Sequence, residues 1–94
     1  MRNKIVLLGG TGQIGYAIAT FFVQRHWEVY LVCRSQHSFD SFISLLEKES
    51  LVFVSNIKPI YGTKEDDSTL VQISLIQPII LVDLLAFIGI ILSL

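Results

Sequence analysis

At 94 residues the chain is long enough for one small domain or part of a larger one, and its net charge of −1 gives no electrostatic reason to expect a nucleic-acid partner. Its single cysteine, Cys33, excludes an intramolecular disulfide and fits a reducing, cytoplasmic setting. Hydrophobic residues make up 52% of the sequence, high for a soluble domain, and they crowd into residues 70–94, where Asp83 is the one charge.

The first residues, MRNK, lead into an apolar run that glycines break too early for a secretory signal. That run, KIVLLG from Lys4 to Gly9, has the form of a strand buried on both faces, as in a parallel sheet. From Gln13 to Arg25, Ile14, Ala17, Ile18, Phe21 and Phe22 recur at helical spacing and predict a helix with those residues as its core stripe. EVYLVC, Glu28–Cys33, is rich in β-branched and aromatic residues and predicts a second strand. Ser38 is placed to cap a second helix, with Phe39, Phe42, Ile43 and Leu46 as its stripe, Asp40 in its first turn and Lys48 near its end. LVFV, Leu51–Val54, either ends that helix or competes to be a strand. NIKPIYG, Asn56–Gly62, predicts the third strand, with Pro59 forcing an early or irregular position. KEDD, Lys64–Asp67, is a solvated turn. Ser68 is placed to cap a short helix through Leu70, Ile73 and Ile76, which Pro78 stops. IILVDLLAF, Ile79–Phe87, predicts a fourth buried strand. This alternation is that of a Rossmann-like α/β fold, a parallel sheet flanked by helices and cut after about four strands. It assigns residues 1–88 to a half domain and 89–94 to an apolar tail.

Four of the six glycines lie between Gly9 and Gly15. They read as G-x-G-x-x-G at Gly10, Gly12 and Gly15, or as G-x-x-G-x-x-G at Gly9, Gly12 and Gly15. The strand before and the helix after supply the context that either motif needs. Bare backbone at the turn lets a pyrophosphate approach the main chain, and the free N–H groups of the helix start then face it. No Gly-Lys-Ser/Thr follows, so a Walker-type loop is excluded. An acidic residue near the end of the second strand would hold a ribose 2′-hydroxyl, but the sequence there is VCRSQ, Val32–Gln36. Arg34 offers a forked cation suited to a 2′-phosphate and Ser35 a hydroxyl, which favours NADP over NAD.

Together KIVLLGGTGQIG and EVYLVCR resemble the N-terminal half of short-chain dehydrogenase/reductases, above all the extended and atypical type, the NAD-dependent epimerase/dehydratase family. IKPIYGTKEDDSTL resembles that family's third strand followed by Gly-Asp-x-x-Asp, and IILVDLLAF its fourth strand. The resemblance implies a dinucleotide cofactor. It places Gly9, Gly12 and Gly15 in the phosphate loop and Thr11, Gln13 and Ile14 against the pyrophosphate. It sets Arg34 and Ser35 at the ribose, Thr63 and Lys64 at the adenine, and Ala86 behind the adenosine. Thr63 stands where the family has aspartate. His26 and Trp27 stand where it often has Gly-His, so His26 must close the first helix at a left-handed backbone angle. The family's catalytic Tyr-x-x-x-Lys is missing: none of Tyr16, Tyr30 and Tyr61 has a lysine four residues on. A cofactor half without its chemistry half binds and does not turn over, so no catalytic residue is assigned. The start of the chain also resembles the F420-dependent NADP oxidoreductase type, which would likewise use an arginine after the second strand.

Cys33 reads as a small core residue, and His26 and His37 lack metal-ligand spacing, so no metal site is expected. Residues 79–94 admit two readings. One is a strand entering a missing half. The other is a membrane segment, for which 16 residues fall short of the ~20 needed and Asp83 is costly. Either leaves apolar surface for a second copy or a membrane contact. The rival to a cofactor domain is thus a non-catalytic interaction or membrane-attached protein that uses this tail.

Overall fold

A computed structural model describes residues 3–9, 13–49, 54–63 and 65–83. Four strands, β1 (Lys4–Leu8), β2 (Glu28–Cys33), β3 (Ile57–Tyr61) and β4 (Ile80–Asp83), alternate with three helices, α1 (Gln13–Val23), α2 (Gln36–Glu49) and α3 (Asp67–Ile76). The strands form one all-parallel sheet in the order β3-β2-β1-β4. This is the Rossmann-like α/β arrangement that the alternation predicts. Leu7 of β1 lies beside Leu31 of β2 and Val82 of β4, and Leu31 lies beside Pro59 of β3. Pro59 is tolerated because β3 is an edge strand, where half of the backbone donors have no ladder partner to lose.

Alternation along the strands separates two cores. Ile5, Leu7, Val29, Leu31 and Ile57 face one way and pack with Ala19 and Val23 of α1 and Phe42 and Leu46 of α2. Val6, Leu8, Val32 and Ile60 face the other way and pack with Ile73 of α3. Right-handed crossovers account for this, because β1 to β2 to β3 steps in one direction and β3 to β4 steps back.

Several local expectations are corrected. The buried line of α1 is Gly15, Ala19 and Val23, with Tyr16, Ile18 and Phe22 packed beside it. Ile14, Ala17 and Phe21 lie exposed. Small side chains, rather than the bulkiest ones, face the sheet, and the Phe21 ring is covered instead by the Arg25 guanidinium, 3.5 Å from its centroid. The second helix begins at Gln36, two residues before the expected Ser38 cap. Ser35 is its N-cap, and its Oγ accepts the Ser38 N–H at 3.2 Å. Asp40 consequently falls beyond the first turn, while Lys48 does lie in the last. Asp66, not Ser68, is the N-cap of α3, and the helix buries Thr69 and Ile73 while Leu70 is exposed. Of Leu51–Val54, only Val54 is described, in a short 3-10 turn through Asn56. The fourth strand, expected to be buried, has Leu81 52% exposed and Ile80, Val82 and Asp83 only part-buried. Residues 84–87 of that expected strand lie outside the described residues.

The end of α1 follows the expectation for His26. Its φ is 64°, its N–H donates to the Val23 carbonyl at 3.0 Å, and the Trp27 N–H donates to the Phe22 carbonyl at 3.0 Å. The Trp27 and Phe22 rings then meet edge to face at 4.8 Å. This pair of bonds with an apolar clasp is a Schellman closure, in which histidine takes the place usually given to glycine.

Candidate functional site

All four strands end on the same edge of the sheet, and each is followed there by residues that the sequence singles out or by a charged group. Gly9 follows β1, Arg34 and Ser35 follow β2, Gly62 and Thr63 follow β3, and Asp83 ends β4. β1 lies between β2 and β4, where the direction of strand order reverses. In open parallel sheets the crevice outside such a reversal is where ligands bind, because the loops to either side diverge there.

Gly9 leaves β1 with φ 72°, a conformation that side chains disfavour. α1 starts at Gln13, with Ile14 exposed on its first turn and Gly15 buried. Gly10, Thr11, Gly12, Lys64 and Ala86 lie outside the described residues, as does the side chain of Gln13. The described part thus supplies both ends of the glycine loop: a left-handed exit from the strand and the start of an 11-residue helix whose dipole points its positive end at the crevice.

Arg34 is exposed, and among the described residues it has no ion-pair partner. It immediately precedes the N-cap of the 14-residue α2. Ser35 Oγ lies 3.2 Å from Ser38 Oγ as well as accepting the Ser38 N–H. The cap engages the lone pair of Ser35 and leaves its hydroxyl proton free to donate, to Ser38 or to an added acceptor. The capping role was missed from the sequence, although a serine directly before the helical run was the available signal.

The Thr63 backbone is already engaged. Its N–H donates to Asp66 Oδ2 at 3.0 Å, and its carbonyl accepts the Asp66 N–H at 3.1 Å. Beside this turn Gly62 has φ 151°, and a side chain there would collide with Thr69 Oγ1. Thr69 is fully buried, and among the described residues its hydroxyl has no hydrogen-bond partner. No spacing rule in the sequence pointed to this close approach.

Burial pushes the Cys33 thiol up, so it stays protonated at neutral pH and is a poor nucleophile. The Tyr61 hydroxyl is also pushed up, first by desolvation and then by Cys33 and Asp40. A tyrosine shifted this way is not poised for proton transfer at neutral pH. Among the described residues no three His, Cys, Asp or Glu side chains gather as a metal site. None of the helices described is long and apolar enough to cross a membrane. A scan against protein-family models and a search of curated proteins gave no match to the chain.

Proposed function

We propose that the chain is an NAD(P)-binding half domain, with NADP(H) preferred, that holds the cofactor for an oxidoreductase or epimerase reaction whose chemistry needs residues not found in this sequence. The observation that carries this reading is the reversal of strand order at β1, with a left-handed glycine at the strand end and α1 starting four residues later. A diphosphate seated there would meet main-chain N–H groups and the positive end of the helix dipole. The donor set fits: Arg34 can fork onto a 2′-phosphate, the Ser35 proton can follow it, and the start of α2 adds its own dipole.

The bound cofactor would supply hydride chemistry. The chain's own part is to grip the diphosphate, to select the 2′-phosphate and to hold the adenosine near Thr63. No Tyr-x-x-x-Lys pair is present, so binding without turnover is expected. The buried, protonated Cys33 thiol is compatible with a cytoplasmic setting.

Titration of the full chain with NADPH and NADH tests the assignment. Arg34→Ala is expected to weaken NADPH about tenfold or more, the loss of a charged hydrogen-bonded pair, and to leave NADH nearly unchanged. Equal weakening of both cofactors, or of neither, would remove Arg34 from the ribose site.

A further inference from the structure

The side chain of Asp66 does not do what its place in the chain calls for. Asp66 is the N-cap of α3, with extended backbone angles (φ −77°, ψ 127°), yet its carboxylate caps none of the helix amides. It turns back along the chain instead, and Oδ2 accepts the Thr63 N–H at 3.0 Å. Oδ2 also stands 3.2 Å from the point that a Gly62 Cβ would occupy, and Thr69 Oγ1 lies against the same point. Glycine at position 62 keeps this gap open. Two hydrogen-bonding groups beside it are unused among the described residues: the second carboxylate oxygen of Asp66, Oδ1, and the buried Thr69 hydroxyl, which is aimed into the gap. The Gly62 N–H donates to the Cys33 carbonyl at 2.9 Å, which ties this turn to the end of β2, one residue before Arg34.

We propose that Asp66 reads the base of the dinucleotide, with Oδ1 accepting the exocyclic N6 amine of adenine. The inference rests on the cofactor reading above and adds to it the group that tells adenine from a 6-oxo purine. Strand order supports it. Outward from the proposed diphosphate seat at the end of β1, β2 comes next and β3 after it. The chemical order of the ligand, diphosphate then ribose then base, falls on Gly9, Arg34 and the Gly62 turn in the same sequence. Two strand spacings, about 10 Å, separate the first from the last. A carboxylate oxygen only accepts, so the spare one needs a donor, and the N–H donor that adenine offers is its N6 amine. Because the Thr63 amide already holds Oδ2, the carboxylate is oriented before a ligand arrives, and little rotamer freedom is lost on binding.

The test titrates the full chain with NADPH and with reduced nicotinamide hypoxanthine dinucleotide phosphate, in which a carbonyl oxygen replaces the N6 amine. The unsubstituted chain should bind NADPH about tenfold tighter or more, the worth of a hydrogen bond to a charged group. Asp66→Asn keeps an oxygen for the Thr63 N–H and a side chain that suits an N-cap, but presents an amide donor to the base. It should bring the two affinities level or reverse them. Asp67→Asn, the same charge change one residue on, should leave the preference intact. Circular dichroism verifies each fold, and Asp66→Ser, also a good N-cap, decides if the asparagine variant does not fold; it should abolish the preference without reversing it. Equal binding of the two dinucleotides by the unsubstituted chain, a preference that survives at Asp66→Asn, or equal weakening of both ligands there would overturn the proposal and leave the cofactor reading standing. So would loss of the preference at Asp67→Asn. Binding of neither dinucleotide would overturn that reading and this inference together.

Discussion

The α1–α2 face and the α3 face of the sheet are built from the same four strands but closed to different depths. Among the described residues, nine buried ones ringed by eight part-buried apolar ones fill the first; five buried ones with Tyr30 and Ile76 fill the second. The candidate site hangs mainly on the better-closed layer. Gly9, Arg34 and Ser35 belong to the turns that lead into α1 and α2 and Ile14 and Gly15 to the first turn of α1, whereas among the described candidates Thr63 belongs to the turn before α3.

The largest expected effect separates the faces. Leu46→Ala should cost about 3–5 kcal/mol by urea unfolding, because Leu46 is fully enclosed and its cavity cannot collapse. Ile73→Ala should cost about 2 kcal/mol, since the α3 side can relax. An equal or larger loss at Ile73 would mean that the faces do not differ in depth. Next comes Gly62→Ala, which places a side chain against buried Thr69 in an unfavourable backbone region and should cost about 1–3 kcal/mol. Combining it with Thr69→Ala should recover part of that loss; no recovery would discard the steric account. Ser35→Ala should cost about 1 kcal/mol through loss of the cap, while Ser38→Ala stays within about 0.5 kcal/mol. The reverse order would restore Ser38 as the cap. Smallest, Thr69→Val should stabilise by about 0.5–1 kcal/mol, because it replaces a buried hydroxyl that has no hydrogen-bond partner among the described residues with a methyl group of the same shape. A loss instead would show that the hydroxyl has a partner, such as a bound water.

The strand pattern was readable because short continuous runs such as Ile5–Leu8 and Val29–Cys33 stand apart from the helical periodicity around them. The parallel pairing then follows from the helix-length connections. Helix faces were less readable. In α1 the spacing of apolar residues pointed to Ile14, Ala17 and Phe21, yet close packing against the sheet selected Gly15 and Ala19, and glycine carries little weight in a hydrophobic pattern. Helix starts went astray for a related reason. Serine and aspartate stand at several adjacent positions, and only the tertiary turn decides which of them caps, as with Ser35 over Ser38 and Asp66 over Ser68. The His26 closure was legible because a long helical pattern had to stop where no glycine was available. At the site, motif spacing placed Gly9 and Arg34 at strand ends correctly, but engagement of the Thr63 backbone by Asp66 depends on a turn that no motif encodes.

Calorimetric titration of the intact chain with NADPH, and in parallel with NADH, bears most directly on the proposed phosphate seat at the end of β1. Saturable one-to-one binding, tighter for NADPH, is the predicted result. Absence of saturable heat with either dinucleotide, from a chain that circular dichroism shows to be folded, would contradict it.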